Sequence, residues 1–310
     1  MSLALFAKES REKPNFAAEQ ALLRARHAAF LELSKVTPTP MPSLASPPAV
    51  TLDDTVGLPV CHGTPSAELV RAAIDSHGSL LVRGLLGRAR AEELKSAVLA
   101  SVEAQAAFKA GAERDASYYT EFEHIAQNGT RQFTSEAGVL AADSPRGHFL
   151  MVEALQDHGL VDIAAKLLGD RPAVSVEKCV LRRVAPQLYA SWHQDGAFLG
   201  ERISTLDVWI ALTPCGRTAP GLEIFPRRMN RILPTGAFFS WDLSDQTLQA
   251  EYPGVQSVMP EFDIGDAIIF DQLCVHRSGF AAGMTETRLA LECWLFAPAS
   301  VPPEYTGLAL

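Results

Sequence analysis

Basic residues are in short supply in this chain: 27 Lys and Arg stand against 36 Asp and Glu, a net charge of −9. Nucleic acids reward a basic surface, so no nucleic-acid partner is expected. Long hydrophobic runs are missing too. Nothing approaches the roughly 20 consecutive apolar residues that a membrane-crossing helix needs, so no membrane role is expected. The opening Met-Ser-Leu-Ala-Leu-Phe-Ala-Lys is shorter than a signal-peptide core and lacks the preceding positive charge. Cysteine is scarce and unpaired, with five at positions 61, 179, 215, 274 and 293 and no Cys-x-x-Cys among them. An odd count without framework spacing excludes zinc clusters and points to reduced thiols in a cytoplasm. Internal repeats are absent. The one biased stretch is Thr37 to Pro48, whose five prolines read as an extended linker.

At 310 residues the chain can bury a sizeable core, and an all-β unit of over two hundred residues often forms one domain. Residues 17 to 36 have helix-forming composition. Thr64-Pro65 offers an N-cap and a first-turn proline for a helix through Leu69, Val70, Ala73 and Ile74, ending near Gly78. Ser79 to Arg83 reads as a strand, and Glu92 to Phe108 carries a helical apolar face at Leu94, Ala97, Val98 and Val102. From about residue 172, short strands are punctuated by Gly and Pro. Val174, Val176, Val180 and Val184 share one parity. So do Leu206, Val208, Ile210 and Leu212, leaving Asp207, Trp209 and Ala211 on the opposite face. Repeated short strands without long helices between them favour a jelly roll, mainly β with flanking helices and a helical N-terminal region. The expected organisation is an N-terminal helix and linker over 1–50, then a single domain over 51–310.

Of the eight histidines, only His193 has an acidic residue two positions later, in His193-Gln194-Asp195. A strand would put residues i and i+2 on one face, aiming an imidazole and a carboxylate at a common point. His276 lies 81 positions beyond Asp195, after the strand signal Asp266 to Phe270. Together the three make a two-histidine, one-carboxylate facial triad, the ligand set of non-haem Fe(II) oxygenases. An ordinary hydrogen-bonded His–Asp pair is the alternative for the tripeptide alone. Arg288 follows twelve residues after His276 and opens the strand-like run Arg288 to Phe296. Its cationic fork is what the remote carboxylate of a dicarboxylate would need.

Ser191-Trp-His-Gln-Asp-Gly196, the strand Leu206 to Leu212, and His276-Arg-Ser278 with Arg288 resemble the phytanoyl-CoA dioxygenase family of Fe(II)- and 2-oxoglutarate-dependent dioxygenases. The likeness spans roughly residues 78 to 296. It implies a double-stranded β-helix (a cupin-like jelly roll) with Fe(II) held by His193, Asp195 and His276. It also implies that 2-oxoglutarate and O2 are co-substrates and that succinate and CO2 are released. Arg288 and Ser278 would bind the distal carboxylate of 2-oxoglutarate, and Trp209 would wall its pocket. The implied reaction is hydroxylation of a C–H bond in a small molecule. Related iron halogenases carry a small residue in place of the carboxylate ligand, so Asp195 implies oxygen rather than halide transfer. Two features depart from the family: Pro226-Arg-Arg-Met229 stands where many members have Pro-Gly-Ser-His, and Arg288 lies one residue further from the second histidine.

Two other classes stay open at the sequence level. One is a jelly-roll oxygenase, isomerase or lyase that uses the triad without 2-oxoglutarate. The other is a catalytically silent binding protein. Tyr118, Tyr119, Phe122, His124, Gln132 and Phe133 form a polar-aromatic stretch that could line a pocket or simply pack. Arg227-Arg228 reads as a solvated basic pair, or as a contact for an anionic substrate. Cys274 is expected to be buried.

Overall fold

The computed structural model describes residues 3–36, 50, 52–53, 56–125, 130–134, 136–186, 190–200, 203–236 and 241–310. The predicted linker at 37–48 lies outside the described residues. Helix α1 (Leu3–Glu12) leads into α2 (Phe16–Leu33), whose first turn is capped by Asn15 accepting from the Ala18 amide. Strands β1 (Leu52–Asp53) and β2 (Leu58–His62) precede α3 (Ala67–His77). The cap of α3 is Ser66, which accepts from Leu69 N–H, and not the expected Thr64. Its hydroxyl is the one placed three residues before a free amide of the first turn. Gly78 ends this helix in the left-handed conformation at φ 85°. Strand β3 (Ser79–Arg83) has its predicted bounds, while α4 (Arg88–Lys109) starts four residues before the predicted Glu92.

Beyond α5 (Thr130–Thr134) and β4 (Gly138–Leu140) come two helices that the sequence reading passed over, α6 (Pro145–Asp157) and α7 (Leu160–Leu168). Their signals are conventional. Ser144 caps α6 with Pro145 at its first position, and left-handed Gly159 and Gly169 bracket α7. The rest is β5 (Ala173–Ser175), β6 (Val180–Val184), the single turn α8 (Gly196–Leu199), β7 (Thr205–Ala211) and β8 (Gly221–Ile224). It continues with α9 (Asp245–Glu251), β9 (Ala267–Phe270), β10 (His276–Gly279), β11 (Arg288–Phe296) and β12 (Gly307–Ala309).

The large sheet runs β1-β2-β3-β9-β7-β11-β5-β12, with β6 also on β11 and β4 on β6. Antiparallel β8 and β10 form the smaller sheet, which single bridges extend through His193, Asp242 and Val258. The two together make the jelly roll. Its central strand β7 is buried along its whole length, and its faces divide as the parity predicts. Leu206, Val208, Ile210 and Leu212 join the core that also takes in the helices, including Leu22, Leu23 and Phe30 of α2. Trp209 and Ala211 turn the other way, into a second core with Leu81, Leu222, Ile224, Ile268, Phe270 and Ala290 between the sheets. Among the described residues no helix is long and apolar enough to cross a membrane. All five cysteines are free.

Candidate metal centre

His193 and His276 are backbone partners. Each donates its N–H to the other's carbonyl at 3.1 Å, forming one antiparallel bridge between segments 83 positions apart. Directly opposed residues of an antiparallel pair project their side chains to the same face, so the two imidazoles meet with ring centroids 4.4 Å apart. Asp195 arrives by a different route from the expected one. Its backbone is helical (φ −63°, ψ −29°) at the start of α8, so it does not share a strand face with His193. The chain turns immediately after the bridge, and this swings Asp195 Oδ1 to 3.7 Å from His193 Nε2 and 3.9 Å from His276 Nε2. Gln194, fully buried between them, holds the turn. It donates to the Arg231 and Leu273 carbonyls and accepts from Leu233 N–H at 2.7 Å.

Both imidazoles are set as ligands. His193 Nδ1 lies 2.9 Å from the Ser191 carbonyl and His276 Nδ1 lies 3.1 Å from the Cys274 carbonyl. A carbonyl only accepts, so the proton sits on Nδ1 and each Nε2 offers its lone pair to the shared point. Burial lowers the pKa of His193, and burial plus the neighbouring His193 take His276 well below the usual value, so both rings are neutral at pH 7. Burial, then the Glu292 charge, pushes the Asp195 carboxyl up, against Lys178 and Arg182. A bound cation would reverse that, since metal binding and deprotonation are linked. One ligand atom from each residue lies within 4.8 Å of the others. Two neutral imidazoles and a carboxylate on one side of a point fit a divalent ion of the Fe(II) type.

Ser278 is two residues along β10 from His276 and therefore on the same face, about 7 Å away at strand spacing. Its hydroxyl accepts from Arg288 Nη2 at 3.1 Å. Arg288 is 2 % exposed; its Nη1 donates to the Gly221 carbonyl at 2.6 Å, and its guanidinium lies 5.3 Å from the centre of the Trp209 ring. Among the described residues no carboxylate pairs with it, and its Nε lacks a partner. Burial pulls its pKa down to about 10, which leaves it charged. Trp209 packs edge-on against Phe262 at 4.9 Å.

Other singled-out residues settle differently. Tyr119 and Phe122 are buried in the main core against Phe108 and His27. His124 is exposed and stacks on His27, and the Phe133 side chain lies outside the described residues. Arg228 is no solvated residue: it pairs with Asp271 at 2.5 Å, both half-buried. Cys274 is buried and lends its carbonyl to His276. Phe198 and Trp241 flank His193 at 6.4 and 5.5 Å, and neither was singled out from the sequence. Nor was Lys178, although its parity with Val174, Val176 and Val180 set a charge on an apolar face. A cavity of about 480 Å³ lined by His62, Arg83, Thr218, Glu261 and Asp266 involves none of the three metal-centre residues.

The phytanoyl-CoA dioxygenase family profile matches residues 74–282. Among solved structures, EctD from S. alaskensis with 2-oxoglutarate and 5-hydroxyectoine superposes with a TM-score of 0.53 at 17 % identity, over 81 % of this chain and 83 % of that one. EctD from the same source with bound Fe gives a TM-score of 0.53 at 16 % identity, over 81 % and 84 %. The non-haem alpha-ketoglutarate-dependent carbocyclase SnoK from nogalamycin biosynthesis gives 0.50 at 18 %, over 76 % and 87 %. At these identities the likeness is one of fold. No curated protein matches the chain.

Proposed function

The chain belongs to the phytanoyl-CoA dioxygenase family, and from that premise we propose that it uses Fe(II), 2-oxoglutarate and O2 to hydroxylate an unactivated C–H bond of a small organic substrate. The observation that carries the reading is a ligand-ready triad beside a buried arginine that no acid among the described residues neutralises. Burying an unpaired charge is costly, so a site that keeps one is built for an anion. A jelly-roll metalloenzyme without a dicarboxylate co-substrate would have no use for it.

In this reading His193, Asp195 and His276 would hold the iron. The Nδ1–H bonds to Ser191 and Cys274 keep the rings from rotating or changing tautomer. Arg288, steadied by Gly221 and Ser278, binds the distal carboxylate of 2-oxoglutarate, and Trp209 walls that arm of the pocket. The step of about 7 Å from His276 to Ser278 suits a short dicarboxylate reaching back to the metal. Iron held there would supply the oxidative chemistry, coupling loss of CO2 from 2-oxoglutarate to hydroxylation of the substrate. Atoms balance as R–H + 2-oxoglutarate + O2 → R–OH + succinate + CO2. With Asp195 among the residues that would hold the iron, oxygen rather than halide transfer is expected even in chloride.

Anaerobic addition of Fe(II) and 2-oxoglutarate should produce a visible metal-to-ligand absorption band. His193→Ala and His276→Ala should lose that band and iron binding while keeping the fold by circular dichroism. Metal binding by wild-type protein without the band would favour chemistry independent of 2-oxoglutarate, and no metal binding would favour the silent protein. Product mass in chloride buffer should rise by one oxygen; a chlorine isotope pattern would overturn hydroxylation.

A further inference from the structure

The face of β11 that looks between the sheets carries Arg288, Ala290, Glu292 and Trp294 at two-residue spacing. Midway along it, Glu292 accepts from Arg182 Nε at 2.6 Å. At the Trp294 end lies Lys178. Its Nζ is 4.2 Å from the centre of the Phe198 ring, 5.4 Å from Tyr305 and 5.8 Å from Trp294. Phe198 in turn stacks on Trp294 at 5.8 Å and lies 6.4 Å from the His193 ring, so the ammonium shares a wall with the metal centre. Lys178 is only partly buried. Among the described residues no carboxylate or carbonyl bonds its Nζ. Asp195, Glu292 and Glu177 act on it only at longer range, and each has other work, at the metal, with Arg182 and with the Thr306 N–H. Ring faces attract a cation but do not neutralise it. A long, flexible side chain kept in this position without a counter-ion points to a ligand that brings one.

We propose that Lys178 is the anion-recognising residue of the substrate pocket and that the primary substrate is a small carboxylic acid, its carboxylate on Nζ and its body against Phe198 and Trp294. The proposal rests on the oxygenase reading above. The carboxylate is not that of 2-oxoglutarate, because Arg288 and Trp294 are six residues apart on an extended strand, about 20 Å of sheet. A five-carbon dicarboxylate that spans the metal and Arg288 runs toward the opposite end of β11.

The test is calorimetric binding of benzoate and of its neutral counterpart benzamide to anaerobic protein loaded with Fe(II) and saturating 2-oxoglutarate. Wild type should prefer benzoate by about ten-fold or more. K178M should lose that preference through weaker benzoate binding with benzamide unchanged, and K178R should keep it; K178Q replaces K178M if the latter melts early. The 2-oxoglutarate absorbance titration should be the same in all variants. Equal binding of the two probes by wild type, or a preference surviving in K178M, overturns the proposal. A 2-oxoglutarate titration weakened by K178M also overturns it, assigning Lys178 to the co-substrate. Absence of the absorbance band from wild type reports against the oxygenase reading instead, while the benzoate comparison still reads Lys178.

Discussion

Single side chains at this centre are placed by what they bond to behind the site. Each imidazole gives its Nδ1 proton to a carbonyl two residues earlier, and Gln194 uses its whole amide to hold the turn between two ligands. Arg288 is held the same way, by the Gly221 carbonyl on one nitrogen and Ser278 on another. Arg288→Lys keeps the charge but cannot make both contacts and still present a fork. Its apparent KM for 2-oxoglutarate should rise about ten-fold or more, equivalent to ~1.4 kcal/mol or more where KM tracks affinity. Steady-state kinetics with unchanged KM would remove Arg288 from the co-substrate pocket.

At the scale of elements, two short pieces carry the centre: the single bridge joining His193 to β10, and the one turn of α8 that begins with Asp195. The bridge is backed by a small cluster of its own, in which Trp192 and Val275, the neighbours of the two histidines, pack with Leu233, Leu243 and Tyr252. Phe270 at the end of β9 packs on the His276 ring at 4.7 Å, which makes β9 the floor of the site. The approach to β9 passes through Gly265 at φ 89°, where an added Cβ would lie 2.3 Å from the Leu86 carbonyl oxygen. That glycine also accepts from Leu86 N–H and donates to the Ala211 carbonyl, so it has little room to move. Gly265→Ala should therefore cost about 1–3 kcal/mol, from left-handed strain plus the clash. Urea denaturation should show a lower midpoint at unchanged slope. An unmoved midpoint would mean that the Leu86 turn gives way freely.

Across the molecule, the helical layer contains its own buried titratable groups. His148 on α6 is 3 % exposed, neither ring nitrogen has a hydrogen-bond partner among the described residues, and Arg26 stands nearby. Burial, then the Arg26 charge, pushes its pKa down to about 3 from an unfolded value of 6.5. The unfolded chain therefore binds the proton more readily. Stability from this site is fully present above pH 6.5 and falls as pH drops from 6.5 toward 3. The slope approaches ~1.4 kcal/mol per pH unit for one proton. His148→Leu should remove that increment, flattening stability between pH 6.5 and 4.5 relative to wild type in urea titrations at stepped pH. An unaltered slope would show that the ring is protonated in the folded state. His27, whose pKa burial also lowers, acts in the same direction in both proteins and cancels from the difference.

Much of this was legible in the linear chain because strand faces and ligand types are local properties. The parity of Leu206, Val208, Ile210 and Leu212, the bounds of β3 and β11, and one His-x-Asp among eight histidines needed no contact information. The jelly roll followed from them. Three things were decided only by tertiary structure. His276 was already named from the chain, but how it meets His193 depends on backbone pairing across 83 positions, and register is set by the whole sheet rather than by either segment. Asp195 reaches the centre through a helical turn where strand geometry was expected, because the chain must leave the bridge as soon as it is made. Charge partners were hidden as well. Arg228 found Asp271, Arg182 found Glu292, and Arg288 and Lys178 found no acid among the described residues, since a side chain's counter-ion comes from whichever element the fold lays against it. Periodicity tells a residue which way to face; only the packed sheets decide what it faces.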